Sequence, residues 1–119
     1  MESGDGKARI VTGFKISSCS ANYGHADLFD VIDRLAELRY DGVEITVMYH
    51  APPAETGQDR RKAILKRVRD AGMAVSGLHF IFPSGLKMAS SDHSERQKII
   101  DYVGSVIDLA HDLEAPVVM

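Results

Sequence analysis

Two side chains have types and spacing that would bring chemistry to one point, Glu44 and His79. Each sits in a short apolar run, Val43-Glu44-Ile45-Thr46-Val47 and Ala74-Val75-Ser76-Gly77-Leu78-His79-Phe80, that reads as a strand. Side chains alternate along a strand. Val43, Ile45 and Val47 therefore share one face, and Glu44 and Thr46 take the other. By the same alternation Leu78 and Phe80 face one way, and Val75, Gly77 and His79 the other. Neighbouring parallel strands would aim Glu44 and His79 into one space. A carboxylate withdrawn from water is costly unless it is paired, hydrogen-bonded or bound to a ligand. Glu44 thus has two readings, an ion pair with Lys15 or a carboxylate that holds sugar hydroxyls or tunes a catalytic group. His79 has two as well. It is a core histidine bonded to a neighbouring strand, or an imidazole that contacts substrate or ligates a metal.

Other candidates lie in loops. His25 and His50 follow the first and second strands, where ligand-facing loops are expected, and both are candidate substrate contacts; Tyr23 and Tyr49 could stack on a sugar ring there. His93, with Ser90 and Ser91, stands near a helix start and suits capping better than anion binding. His111 falls in a last helical turn, where positive charge is favourable. Cys19 reads as a small apolar filler at the end of the first strand. The basic run Arg60 to Arg69 is broken by apolar residues at helical spacing, which marks a solvated helix face. No H-E-x-x-H or C-x-x-C occurs. Glu44 and His79 give two potential ligands where a catalytic zinc site needs three.

The elements that must position these residues alternate in type. The expected order is a strand over Phe14 to Ser20, a helix capped by Asp27, and a strand over Val43 to Val47. Leu28, Val31, Ile32, Leu35 and Leu38 form the stripe of that helix, which ends at Asp41-Gly42. A second helix starts at a Thr56-x-x-Asp59 capping box, buries Ile64, Leu65 and Val68, and stops at Ala71-Gly72. A third strand covers Met73 to Phe82. A third helix begins at Asp92-x-x-Glu95 and buries Ile99, Val103, Val106, Ala110 and Leu113. Pro116 to Met119 reads as a fourth strand. The fold class is therefore α/β, β-α-β-α-β-α-β with parallel strands covered by helices. The turn Ser17 to Gly24 lacks G-x-G-x-x-G, so a dinucleotide fold is unsupported and a partial (β/α)8 TIM barrel is favoured. A full barrel takes eight units and usually ~250 residues, so the chain is expected to be a truncated barrel. Residues 1–12 are expected to be a disordered leader, and 13–119 the N-terminal half of the barrel domain.

Composition narrows the partners. Among 119 residues, 17 acidic against 14 basic side chains give a net charge of -3, which argues against a nucleic-acid surface. No apolar run approaches the ~20 residues of a membrane span. The one cysteine excludes an internal disulfide and fits a cytoplasmic location.

Phe14 to Met119 resembles the N-terminal part of the xylose isomerase-like TIM-barrel superfamily, which includes sugar phosphate isomerases and epimerases and is related to apurinic endonucleases. The stretches that carry the resemblance are Leu38-Arg39-Tyr40-Asp41-Gly42-Val43-Glu44-Ile45 and Ala74-Val75-Ser76-Gly77-Leu78-His79-Phe80. A third is Ser94-Glu95-Arg96-Gln97-Lys98-Ile99-Ile100-Asp101-Tyr102, running into Ile107-Asp108-Leu109-Ala110. The resemblance implies a divalent metal (manganese, magnesium, cobalt or zinc) and a small sugar substrate. It also implies proton transfer between adjacent carbons through an enediolate. His79 matches a histidine that contacts substrate or metal at the end of the third strand, and Glu44 matches a glutamate common at the end of the second. The superfamily's main metal ligands come from later strands, beyond Met119.

The expected function is that of an N-terminal fragment of a metal-dependent sugar or sugar-phosphate isomerase/epimerase, with the 119-residue chain inactive alone. The alternatives are an apurinic-endonuclease-like repair enzyme, against which the charge of -3 weighs, and a non-catalytic half-barrel that self-associates through its strand edges.

Overall fold

The structure is a computed structural model and describes residues 13–119; the expected leader, 1–12, lies outside the described residues. Strand β1 is Ser17–Cys19, followed by a 3-10 turn, Ser20–Tyr23, and helix α1, Leu28–Glu37. Strand β2 is Gly42–Thr46, and a single helical turn, α2, Val47–His50, follows directly. A second 3-10 turn, Pro53–Glu55, leads to α3, Gln58–Asp70, and then to β3, Ala74–His79. Helix α4, His93–Asp112, is the longest element. The sheet order is β1-β2-β3, and both pairings are parallel. The expected fourth strand is reduced to one parallel bridge, Leu78 to Val118. Its hydrogen bonds run from Leu78 N to Val117 O (2.9 Å), Met119 N to Leu78 O (2.8 Å) and Phe80 N to Met119 O (2.9 Å).

One face of the sheet carries the core. Val43 and Ile45 of β2 and Val75 and Leu78 of β3 are buried against Leu28, Val31, Ile32 and Leu35 of α1 and Ile64 and Val68 of α3. Val106, Leu109 and Ala110 of α4 close the same cluster, with Leu113 just beyond its end. Apolar residues at helical spacing thus meet the β-branched face of a parallel sheet, which is the usual α/β solution. Asp27 caps α1 by accepting from Phe29 N at 2.8 Å, and Asp92 caps α4 by accepting from Ser94 N at 2.8 Å.

Four details differ from the sequence expectation. Leu38 leaves the α1 stripe and is 49% exposed, because the helix ends before it. The residue in the left-handed region there is Arg39, with φ 66°, and Tyr40 N reaches back to Leu35 O at 3.0 Å. Gly42 is needed for space instead, since a Cβ would lie 3.0 Å from the Ala74 carbonyl oxygen and 3.3 Å from Ser17 Cβ. Thr56 caps no helix, because its hydroxyl donates to Pro52 O at 2.7 Å and Gly57 occupies the cap position of α3.

Strand β3 changes phase. Val43 pairs with Val75 but Glu44 pairs with Gly77, so Ser76 is an extra residue in a β-bulge. Val75 consequently faces the helices, contrary to simple alternation, while Gly77 and His79 stay on the opposite side. Ser76 is tied across the sheet, its Oγ donating to Ser17 Oγ at 3.0 Å.

Candidate functional site

The site is built where three strands end. Register places Cys19 beside Glu44, Glu44 beside Gly77 and Thr46 beside His79. Glu44 and His79 therefore project from the face away from the helices, at the carboxyl ends where βα folds gather their ligands. The Cys19, Glu44 and His79 donor atoms lie within 4.8 Å of one another, and all three residues are half-buried. Among the described residues, neither the Glu44 carboxylate nor the His79 imidazole has a hydrogen bond or an ion pair. The Lys15 partner considered for Glu44 lies instead with Asp41, Gly42 and Gly72 around the opposite end of the sheet.

Cys19 is the member that sequence reasoning missed. Its strand has three residues, and the run Ser17-Ser18-Cys19 has no apolar alternation to show which way a side chain points. Only the pairing with Glu44 reveals it. The Cys19 sulfur lies 3.2 Å from the hydroxyl of Thr46, a residue only 2% exposed. Thr46 shares the Glu44 face, as alternation predicts.

His50 is placed beside this cluster but is fully engaged. Its Nε2 lies 3.0 Å from the Ala26 carbonyl, which can only accept, so Nε2 carries the proton. Nδ1 then accepts from Ser20 Oγ at 2.9 Å, and Ser20 Oγ accepts from Thr46 N at 2.8 Å. The chain of bonds joins the loop after β1 to the end of β2. Burial disfavours the charged ring and holds the His50 pKa below the usual histidine value, a shift to which nearby His25 adds. His25 is exposed and meets the Tyr49 ring edge-on at 4.8 Å between centroids. Tyr23 packs against the core. Of the four residues expected at a ligand, Glu44 and His79 thus converge, His50 braces the loops, and His25 lies on the rim with Tyr49.

The remaining candidates resolve into structure. Arg67 forms a forked pair with Asp33 of α1, with bonds of 2.8 and 2.5 Å, which holds the Asp33 carboxyl below its ordinary range. Arg60 stacks over Phe29 at 4.3 Å. Arg61 binds Asp112 at 2.8 Å, Lys66 pairs with Asp70, and Arg69 with Glu114. The basic face of α3 is therefore engaged with its own chain. Ser90 accepts from Asp92 N at 3.1 Å, so the segment before α4 is a local capping motif. A groove of about 460 Å³ lies between the α2 loop and α4, lined by Met48, Pro53, Arg61, Ile81 and Tyr102; none of the three clustered donors lines it.

Three parallel strands with helices on one face, and polar side chains gathered at the strand ends, define part of a β/α barrel. The chain belongs to the xylose isomerase-like TIM-barrel family, whose model matches residues 32–119. A crystal structure of D-psicose 3-epimerase in the presence of D-fructose superposes with a TM-score of 0.76 at 16% identity, covering 88% of this chain and 36% of that one. D-psicose 3-epimerase from Clostridium cellulolyticum H10, with D-tagatose, gives a TM-score of 0.77 at 15% identity, with the same coverage of 88% and 36%. The chain thus spans about a third of the length of these structures, and at such identities the likeness is one of fold. No curated protein matches the chain by sequence. Among the described residues, no helix is long and apolar enough to cross a membrane.

Proposed function

We propose that these β/α units belong to a metal-dependent sugar or sugar-phosphate isomerase/epimerase that moves a proton between adjacent carbons through an enediolate. The observation that carries the proposal is the convergence of Glu44 and His79, both without a protein partner among the described residues, at the strand ends. The fold they sit in is shared with epimerases whose structures contain ketoses.

The chemistry suits the residues. Removing a proton from the carbon beside a carbonyl leaves an electron pair that the carbonyl oxygen must take up. Returning the proton to the opposite face epimerises that carbon; returning it to the neighbouring carbon isomerises the sugar. A bound divalent metal would supply polarisation of the carbonyl, and Cys19, Glu44 and His79 offer sulfur, oxygen and nitrogen donors that fit one. Glu44 would accept hydrogen bonds from sugar hydroxyls, and His79 would orient a hydroxyl or hold the metal. His25 and Tyr49, whose rings meet, would border the sugar, and the bonded His50 would hold their two segments together.

The test is ligand titration of the 119-residue chain with D-fructose and D-tagatose, with and without zinc, followed by NMR. Shifts are expected at Glu44 and His79, and their loss in Glu44→Gln and His79→Gln. Shifts confined to the groove beside α4, or none with any ketose or ketose phosphate, would overturn the reading. Alone, the chain should incorporate no solvent deuterium into the sugar.

A further inference from the structure

We propose that Cys19, Glu44 and His79 form a site for a thiophilic divalent cation, zinc or cobalt(II), at the ends of β1, β2 and β3. The inference stands on these three side chains and does not depend on the activity proposed above. Each donor comes from a different strand of one sheet, so backbone pairing fixes their relative positions. Their donor atoms fall within 4.8 Å of one another. Sulfur, nitrogen and oxygen ligands bind zinc at roughly 2.0–2.3 Å, which places them about 3.5 Å apart around a tetrahedral ion. Rotations of Glu44 and His79 that close about 1 Å would reach that spacing. Neither side chain breaks a hydrogen bond or an ion pair among the described residues in doing so.

The identity of the donors decides which ion is favoured. Magnesium and manganese take oxygen ligands, whereas thiolate with imidazole selects zinc and its tetrahedral analogues. The sulfur also has an outer partner. The buried Thr46 hydroxyl, 3.2 Å from Sγ, can donate to a thiolate and hold it in place, as outer hydrogen bonds do around metal ligands. On binding, the thiol proton leaves to solvent and the sulfur electron pair goes to the metal, with no change of oxidation state. Three protein ligands leave a fourth position for water or a sugar oxygen.

The experiment loads the full chain with one metal at a time. Dialysis should retain one zinc per chain, and cobalt(II) should give a thiolate-to-cobalt charge-transfer band in the near ultraviolet. Cys19→Ser should abolish that band and weaken zinc binding by at least about tenfold, the minimum seen when even outer partners of a ligand are removed. Glu44→Gln and His79→Gln should each weaken zinc binding as much while keeping the band at saturating cobalt. A measurement without any variant guards against misfolding. Cys19 is the single cysteine of the chain, so its alkylation reports on this sulfur alone. Zinc should slow it at least roughly tenfold, and magnesium should not. Cobalt bound without the band, zinc affinity unchanged by Cys19→Ser, or alkylation indifferent to zinc would each overturn the proposal.

Discussion

His50 shows how one neutral ring can hold two loops. Nε2–H donates to Ala26 O, while Nδ1 must accept from Ser20. Protonating Nδ1 would reverse its bond with Ser20 Oγ and place a charge on a partly buried ring. Burial holds the pKa below 6.5 in the folded chain, so the unfolded chain binds the proton first as pH falls. The stability contributed by neutral His50 is therefore complete above the unfolded value. It should decline as pH drops from about 6.5 toward the lower folded value. Urea unfolding of the wild type between pH 7.5 and 5 should show this decline, and His50→Gln should remove it. A wild-type midpoint flat across that range would contradict the assignment. Gly42 is a second residue whose role is local. An added Cβ would press on the Ala74 carbonyl oxygen at 3.0 Å, and backbone cannot move aside as a side chain can. Gly42→Ala should cost about 1–3 kcal/mol, in the manner of an overpacked core, whereas Gly104→Ala, with open space around it in the middle of α4, should not.

Among the elements, the three long helices end in one way. After α1, α3 and α4 a residue with positive φ turns the chain: Arg39 at 66°, Gly72 at 75° and Glu114 at 56°. The following amide reaches back to Leu35, Val68 and Ala110 respectively. Sequence reading located Gly72 but assigned the first turn to Asp41-Gly42, because arginine gives no sign of a left-handed conformation. The same limit explains Thr56, whose spacing suits a capping box although its hydroxyl is taken by Pro52. Alternation along β2 did place Glu44 and Thr46 together, and it placed His79 correctly. It failed for Val75 because Ser76 bulges, and a bulge leaves no mark in the apolar pattern. Arg39 also yields an element-scale prediction. A non-glycine residue in this region costs about 1–2 kcal/mol, and glycine forfeits about 0.5–1 kcal/mol through the unfolded chain. Arg39→Gly should therefore raise stability by about 0.5–1 kcal/mol, read as a higher melting temperature. The side chain is exposed and, among the described residues, makes no hydrogen bond or ion pair whose loss would mask the gain. A lower melting temperature would show that Arg39 does more than end a helix.

At the scale of the molecule, the sheet is open where a barrel would be closed. Among the described residues, β1 pairs only with β2, and on the other side Val117 to Met119 touch β3 through a single bridge. Both borders are apolar: Phe14 is 77% exposed, Ile16 59% and Met119 51%. An unpaired edge carrying such residues is a template for pairing with another chain, and closure into a barrel is the way β/α proteins remove it. The 119-residue chain should accordingly self-associate through the β1 edge. Sedimentation velocity across a hundredfold range of concentration should show a monomer giving way to larger species. Ile16→Lys, which sets a charge on that edge without touching the core face of β2, should shift the balance toward monomer. Ile107→Lys, on the exposed side of α4, separates this edge from a helix-mediated contact. If it dissociates the assembly and Ile16→Lys does not, the helix layer is the interface. A chain monomeric at every concentration would show that neither border recruits a partner of its own kind.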